Sequence, residues 1–135
     1  MVAYTSSRTG DWDNAATWNG AGVPNQTGDT AVIASGHTVT FDQGLAPDLG
    51  DVTINSGGIL VHEANMHLNG RLTINGTLHQ KPGSKILFVG ADNQTHGLWM
   101  ENNTNAHYIA EGSDGMPTTK TDAASDIGDI RIQAV

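Results

Sequence analysis

DVTINSGGILVHE, residues 51–63, repeats its plan at two other places in the chain: AVIASGHTVTF (31–41) precedes it and RLTINGTLHQK (71–81) follows it. Each segment runs from an apolar residue through an isoleucine and a Gly-containing bend to further apolar residues. The isoleucines Ile33, Ile54 and Ile74 therefore recur at nearly equal intervals along the chain. A short, regular period with two or three strands in each repeat is typical of a parallel β-helix, in which each coil buries its apolar face against the next.

Apolar and polar residues alternate within each segment with the period of two that a β-strand imposes. Val52 and Ile54 fall on one side of such a strand, and Thr53 falls on the other. We therefore predict an all-β fold, a parallel β-helix-like solenoid of about four to five short coils. The alternative is an antiparallel sandwich with closely spaced hairpins. It explains the turns but not the recurring register of the isoleucines.

The pattern divides a single domain, residues 1–135, into three parts. Residues 10–30 form an N-terminal cap, residues 31–110 form the stacked coils, and residues 111–135 form a loop and a final strand. A fourth coil begins at KILFVG, residues 85–90, and IGDIRIQAV at the end of the chain alternates as a strand does.

Two asparagines occupy matching places in successive coils. Asn55 and Asn75 each follow the anchoring isoleucine and precede a glycine-containing bend. In stacked coils their side-chain amides could bond to one another along a ladder and satisfy backbone groups of the turns. We therefore predict that they stabilise the stack together with the isoleucines.

Two of the three tryptophans lie in a short polar segment, GDWDNAATW, inside the predicted cap. Asp13 is a suitable N-cap for a brief helical turn over residues 14–17. That turn would place the rings of Trp12 and Trp18, with Pro24 following, over the open end of the first coil. A solenoid needs such a cap because its terminal core residues would otherwise face water.

The same segment has two functional alternatives. Exposed tryptophan rings can stack on sugar rings, which would make the cap a glycan-binding platform. Asp11, Asp13 and Asp29 could supply oxygen ligands to calcium. The segment lacks the spaced acidic loop of a dedicated calcium site, so capping and turn formation are the favoured roles for these residues.

Composition and charge restrict the partners. The chain has 6 basic and 14 acidic residues and a formal net charge of −8, so it would be repelled by phosphate backbones, and we expect no nucleic-acid partner. It has no cysteine and therefore no disulfide or thiolate site. No apolar run is long enough for a membrane helix, and the first residues lack the regions of a signal peptide. We expect no membrane partner, and a protein that stays in the cell, belongs to a virion released by lysis, or is part of a longer chain.

Six short patterns occur in a defined order along the chain. They lie at Trp12–Pro24, Gly28–Val39, Ile54–Leu60, Gly70–Leu78, Pro82–Ile86 and Gly112–Pro117. In this order, over residues 10–117, the chain resembles the eight-glycine (G-eight) domain family. The resemblance implies a right-handed β-helix-like fold and brings no catalytic residues with it. The family occurs in extracellular proteins linked to hyaluronan processing, fibrocystin-like receptors, bacterial surface proteins and virion proteins of some tailed phages.

The histidines are the strongest candidates for metal-binding or ligand-contact residues. His62 and His79 follow similar strands in neighbouring coils, with Glu63 beside the first, so a site of two histidines and one carboxylate is conceivable. The spacing lacks the regularity of a committed metal site, and positions at the surface or edge of a ladder are favoured. We predict no cofactor, no metal and no catalytic residue. His62, His79 and Trp99, an aromatic residue in a late segment, are retained as possible ligand contacts.

These observations predict a non-catalytic structural or attachment module rather than an enzyme. With the family resemblance, they indicate a phage virion component, such as a capsid decoration, fibre or baseplate-associated protein. Its partners would be other virion or surface proteins and other copies of the chain. The alternative is a carbohydrate-binding β-helical module of a larger polysaccharide-processing or cell-surface protein, located outside the cell.

Overall fold

The computed structural model describes residues 2–20, 22–43, 48–81, 84, 86–88, 97–102, 107–110 and 129–134. The strands in these ranges are β1 (Ala3–Thr5), β2 (Gly10–Asp11), β3 (Thr30–Ile33), β4 (Thr38–Phe41), β5 (Val52–Ile54), β6 (Ile59–His62), β7 (Met66–Leu68), β8 (Arg71–Ile74), β9 (Thr77–Gln80), β10 (Ile86–Phe88), β11 (Gly97–Asn102), β12 (His107–Ala110) and β13 (Asp129–Ala134). The only helical element within the described ranges is a 3₁₀ helix, Ala15–Trp18. The prediction of an all-β fold is confirmed.

The described strands form three sheets, and every pair among them is parallel. The first sheet has the order β1-β3-β5-β8-β11-β13, and the second has the order β2-β4-β6-β9-β12. The third sheet pairs β7 with β10, and a bridge between Leu49 and Leu68 extends it. The chain therefore visits the sheets in turn, and each visit adds a strand beside the one laid down before.

The core lies between the sheets and is built from aligned apolar residues. In the first sheet Ile33 is the register partner of Ile54, and Ile54 is the partner of Ile74. All three side chains are fully buried, whereas Thr53, next to Ile54, is only half-buried. Because alternate residues of a strand point to opposite faces, one face of each strand fills the core and the other faces outward.

The structure does not form the predicted ladder of asparagine amides. Asn55 is exposed, and the buried Oδ1 of Asn75 has no hydrogen-bond partner among the described residues. The two turns differ in length, because residues 55–58 connect β5 to β6 whereas residues 75–76 connect β8 to β9. The backbone of the shorter turn lies close against the longer turn, because a Cβ atom at Gly76 would overlap the carbonyl oxygens of Asn55 and Gly58. The two asparagines are therefore not equivalent.

The N-terminal region contains more sheet than the sequence pattern indicates. β1 pairs with β3, and β2 pairs with β4, although alternation predicts no strand before residue 31. β2 has two residues, too few for a period, and β1 has no buried apolar residue to mark one. Their partners are also distant in the sequence, since Ala3 is in register with Thr30 and Gly10 with Val39.

The C-terminal part of the chain is described only at its strands. β10 lies where the fourth coil is predicted, and β13 lies where the final strand is predicted. Apart from β13, the predicted loop and final strand at residues 111–135 lie outside the described residues. No helix in the described part of the chain is long and apolar enough to cross a membrane.

The predicted cap of the helical turn is off by one residue. Asn14, not Asp13, is the N-cap: its Oδ1 accepts a hydrogen bond from the N–H of Ala16 at 3.0 Å. Asp13 is exposed. The turn is a 3₁₀ helix that begins at Ala15, so the acceptor that satisfies its first free N–H groups must come from residue 14.

Candidate functional site

A row of interior side chains runs along the second sheet, one from each successive strand. Phe41 is the register partner of His62, and His62 is the partner of Gln80. Trp12 continues the row beyond β2, since its N–H donates to the carbonyl of Thr40 at 2.7 Å. Trp12, Phe41, His62 and Gln80 are called the interior column below. All four side chains are buried.

The first part of the interior column is aromatic. The rings of Trp12 and Phe41 meet edge to face with centroids 5.1 Å apart, and Trp18 meets Trp12 in the same way at 5.0 Å. Tyr4 contacts Trp18 from the outside, with ring centroids 6.2 Å apart. Such contacts stabilise a core beyond the area that the rings bury. The rings therefore fill the N-terminal end of the core.

The indole N–H groups find acceptors inside the protein. Nε1 of Trp12 donates to the carbonyl of Pro24 at 2.9 Å, and Nε1 of Trp18 donates to the carbonyl of Trp12 at 2.7 Å. Both tryptophans are only 2% exposed. A sugar cannot stack on rings in this position, so the glycan platform suggested for Trp12 and Trp18 is not present.

His62 is a polar group inside the core. Its ring is stacked on Phe41, with centroids 5.7 Å apart and planes within 7° of parallel. Its Nδ1 lies 3.0 Å from Oγ of Ser84, and its buried Nε2 has no hydrogen-bond partner in the described part of the chain. Burial lowers the pKa of the imidazole from 6.5 to about 4, because a charged ring in this place would lose its hydration.

Ser84 connects His62 to the segment between β9 and β10. Its hydroxyl lies 2.8 Å from the carbonyl of Lys81 and 3.2 Å from the carbonyl of His62, and the side-chain N–H of Gln80 donates to the Ser84 carbonyl at 3.2 Å. A hydroxyl has one hydrogen, and the shortest of these contacts gives it to Lys81. Oγ of Ser84 then accepts from Nδ1–H of His62. His62, Gln80 and Ser84 thus form one buried polar cluster.

The alternative grouping of His62, His79 and Glu63 does not form, and the favoured position at the surface or ladder edge is wrong for His62, which is fully buried. The register partner of His62 is Gln80, and that of His79 is Val61, so His79 lies on the outward face of the second sheet, where it is half-buried. His62 lies on the inward face, and Glu63 is exposed. A slip of one residue in register moves a side chain to the other face of a sheet. No group of three metal-binding side chains occurs among the described residues.

Asp29 has a structural role that its sequence context does not reveal. Its carboxylate is buried and accepts hydrogen bonds from the N–H groups of Val2 at 2.8 Å, Asn25 at 3.2 Å and Gln26 at 3.0 Å. These bonds join the start of the chain to the loop after Pro24. They occupy both carboxylate oxygens, whereas Asp11 and Asp13 are exposed. The three aspartates therefore do not converge on a calcium ion.

A second serine–histidine pair has no local signal in the sequence either. Oγ of Ser6 lies 2.8 Å from Nδ1 of His37 and accepts a hydrogen bond from the N–H of Ala34 at 2.8 Å. Ser6 is buried, and His37 is half-buried. The two residues are far apart in the chain, and only the pairing of β1 with β3 brings them together. This pair closes the turn between β3 and β4.

The side chain of Trp99 lies outside the described residues, so its predicted role as a ligand contact stays a prediction. No pocket is present in the part of the chain that the structure describes. Comparisons with models of protein families, with curated proteins and with solved structures found no match to this chain. The resemblance to the eight-glycine family likewise stays a prediction.

Proposed function

We propose that the chain forms a right-handed parallel β-helix that serves as a non-catalytic structural or attachment module of a phage virion. The three parallel sheets around one core support the β-helix. The net charge of −8 and the resemblance to the eight-glycine family support a surface component that binds proteins rather than nucleic acid. Its partners are other virion proteins or further copies of the same chain.

The observation that carries this proposal is the edge that the described strands leave unpaired at the C-terminal end of the sheets. Among the described strands, β13, β12 and β10 each pair with one neighbour only. β13 has six residues and β12 has four, whereas the strands at the other end, β1 and β2, have three and two. Unpaired strand edges are templates for adding a strand from another chain. The longer edges make the C-terminal end the stronger template.

Backbone hydrogen bonds show which residues face each edge. Ala31 and Ile33, whose side chains point inward, bond toward the next strand: the N–H of Ala31 donates to the carbonyl of Asp51 at 3.0 Å, and the carbonyl of Ile33 accepts from Asn55 at 2.9 Å. Thr30, beside the inward Ala31, donates instead toward β1, to the carbonyl of Val2 at 2.9 Å. In this alternation, residues in register with inward positions turn their N–H and C=O groups toward the C-terminal end.

The buried polar side chains form hydrogen bonds inside the protein, and this supports a non-catalytic role. The serines of both serine–histidine pairs are buried, and each makes backbone hydrogen bonds that hold a turn. A nucleophile needs access to substrate and a base free to take its proton. Ser84 and His62 have no such access, since both are fully buried. We therefore assign these groups to stabilisation of the fold.

Light scattering tests the proposal on the purified chain. We expect a defined oligomer that dissociates in the double variant Ala110→Pro/Ala134→Pro. Ala110 is in register with Gln80, and Ala134 follows Ile130 and Ile132, which share the register of Leu72 and Ile74 through β11. Both alanines therefore turn their N–H groups toward the open edge, and proline removes that donor without breaking a pair inside the sheets.

Thr5→Pro is the matched control at the other end. The N–H of Ser6 donates to the carbonyl of Val32, so Thr5, one residue earlier, turns its N–H away from β3. This variant should leave the oligomer intact, and circular dichroism should show the same strand content in all three proteins. A wild-type chain that is a monomer at high concentration, or a double variant that still assembles, would overturn the proposed mode of attachment.

The carbohydrate-binding alternative depends on Trp99. A change of tryptophan fluorescence on adding acidic or neutral glycans, lost in Trp99→Ala, would favour that alternative over the structural role. No contact of the described residues favours it, because Trp12 and Trp18 are buried in the core.

A further inference from the structure

We propose that His62 is an acid-sensitive break point between β6 and β9. When its imidazole takes up a proton, the segment from β9 to β10 separates from β6, while the strands around Trp12 and Trp18 stay folded. This inference goes beyond the proposed function, since it assigns a conformational response to a module otherwise described by its shape.

The surroundings of His62 leave no place for a second proton. With Nδ1–H donating to Ser84, the proton would go to Nε2, which is buried and has no acceptor among the described residues. One face of the ring is covered by Phe41. A buried charge without a hydrogen-bond partner is costly, so a protonated His62 is stabilised by leaving the core.

Within the described ranges the one buried charged side chain is Asp29, whose carboxylate is bonded to three backbone N–H groups at the N-terminal end. The side chains that the packed elements turn toward His62 are neutral, namely Phe41 of β4, Gln80 of β9 and Ser84. The charged residues at the ends of these strands are exposed or half-buried: Asp42, Glu63 and Lys81. The outward-facing His79 of β9 is on the opposite side of the sheet.

The contacts of His62 decide which segment opens. The Ser84 hydroxyl holds the connection from β9 to β10 by donating to the carbonyl of Lys81 and accepting from Nδ1–H of His62. Where strands are added one beside the other, each is stabilised mainly by its direct neighbours, so a local defect can release one side and leave the other intact. The N-terminal side retains the ring contacts of Trp12, Trp18 and Phe41, which hold no titratable group.

Proton linkage gives the size and sign of the effect. The pKa of His62 is about 4 in the closed state, and in an open state it returns to 6.5. Above pH 6.5 neither state is protonated, and protonation has no effect. As the pH falls from 6.5 to about 4, only the open state binds the proton. The equilibrium constant for opening should therefore rise about 30-fold between pH 7.5 and pH 5.

Hydrogen–deuterium exchange read by mass spectrometry tests this, with rates corrected for the intrinsic effect of pH. We expect protection of residues 77–88 to fall about 30-fold between pH 7.5 and pH 5 while protection of residues 31–41 is unchanged. His62→Leu should abolish the change. His79→Gln, on the outward face of the neighbouring strand, should retain it.

Three results would overturn the proposal: equal loss of protection in both segments, no loss in either, or a loss that persists in His62→Leu. If His62→Leu does not fold, His62→Gln serves instead. Its amide can still donate to Ser84, and it has no proton to gain in this range. Because the readout is exchange within one chain, it is independent of whether the chain assembles.

Discussion

The interior column changes its chemistry between its second and third members. Trp12 and Phe41 meet edge to face and bury apolar rings, whereas His62 and Gln80 are polar and depend on Ser84 for hydrogen bonds. The backbone around all four is similar, since each lies in or directly beside the parallel ladder of the second sheet. The ladder therefore accepts either chemistry, and the difference lies in what keeps each part stable: ring contacts in one, and neutral, paired polar groups in the other.

Removing a ring from the aromatic part should have the largest effect. Trp18→Ala should lower the free energy of unfolding by about 4 kcal/mol, because it leaves a cavity beside Trp12 and Tyr4. Urea unfolding at pH 7, followed by circular dichroism, measures the change. Val2→Ala, at a position 50% exposed, should shift the value by less than about 0.5 kcal/mol. A loss below about 1 kcal/mol in Trp18→Ala would mean that the rings do not fill the N-terminal end.

Lowering the pH should have the second largest effect, and it should distinguish the polar part of the interior column from the aromatic part. Relative to His62→Leu, the wild-type protein should lose about 3 kcal/mol of unfolding free energy as the pH falls from 6.5 to 4. The reason is that His62 takes up a proton in the unfolded chain, whereas the buried ring of the folded protein does not. Above pH 6.5 the difference between the two proteins should be constant. Urea titrations of both proteins at several pH values measure it. A difference that stays flat down to pH 4 would show that His62 is not held neutral by the core.

A substitution at Asp29 should destabilise the N-terminal end without altering an aromatic side chain. Asp29→Asn should lower the free energy of unfolding by about 2 kcal/mol, because an amide group would replace one of the two oxygens that accept from Val2, Asn25 and Gln26. Asp13→Asn is the control at an exposed aspartate of the same region. Thermal unfolding of the three proteins at pH 7 compares them. Equal stability of Asp29→Asn and wild type would show that this carboxylate does not stabilise the connection between the start of the chain and the loop after Pro24.

The sequence pattern predicts the strands that repeat. It does not predict the contacts that would change if the register shifted by one residue. Ile33, Ile54 and Ile74 can be aligned because each sits in a strand with clear alternation, and they lie in register. β1 and β2 cannot be found in this way, because β1 has no buried apolar residue like those of the repeated strands and β2 has only two residues.

The alternative histidine site also depends on the register. The turn between β8 and β9 is shorter than the turn between β5 and β6, so a period taken from the first sheet does not hold in the second. Partners in the first sheet, such as Ile54 and Ile74, are 20 residues apart, whereas His62 and Gln80 are 18 residues apart. His79 is 17 residues from His62, which fits neither spacing, and it lies on the opposite face of the sheet. The pairs of Ser6 with His37 and of His62 with Ser84 join distant parts of the chain, and nothing in the local sequence marks them.

The smallest expected effect comes from the polar part of the column and shows whether its members act as a unit. Ser84→Ala should cost about 1 kcal/mol of unfolding free energy at pH 7, because Nδ1–H of His62 loses its acceptor in the core. In a His62→Leu background the same substitution should cost clearly less, since no ring N–H is left unpaired. Chemical unfolding of the two single variants and the double variant completes the cycle. If the two costs simply add, Ser84 stabilises the connection through the carbonyl of Lys81 alone, and the imidazole is held in its place by its stacking on Phe41 rather than by the hydroxyl.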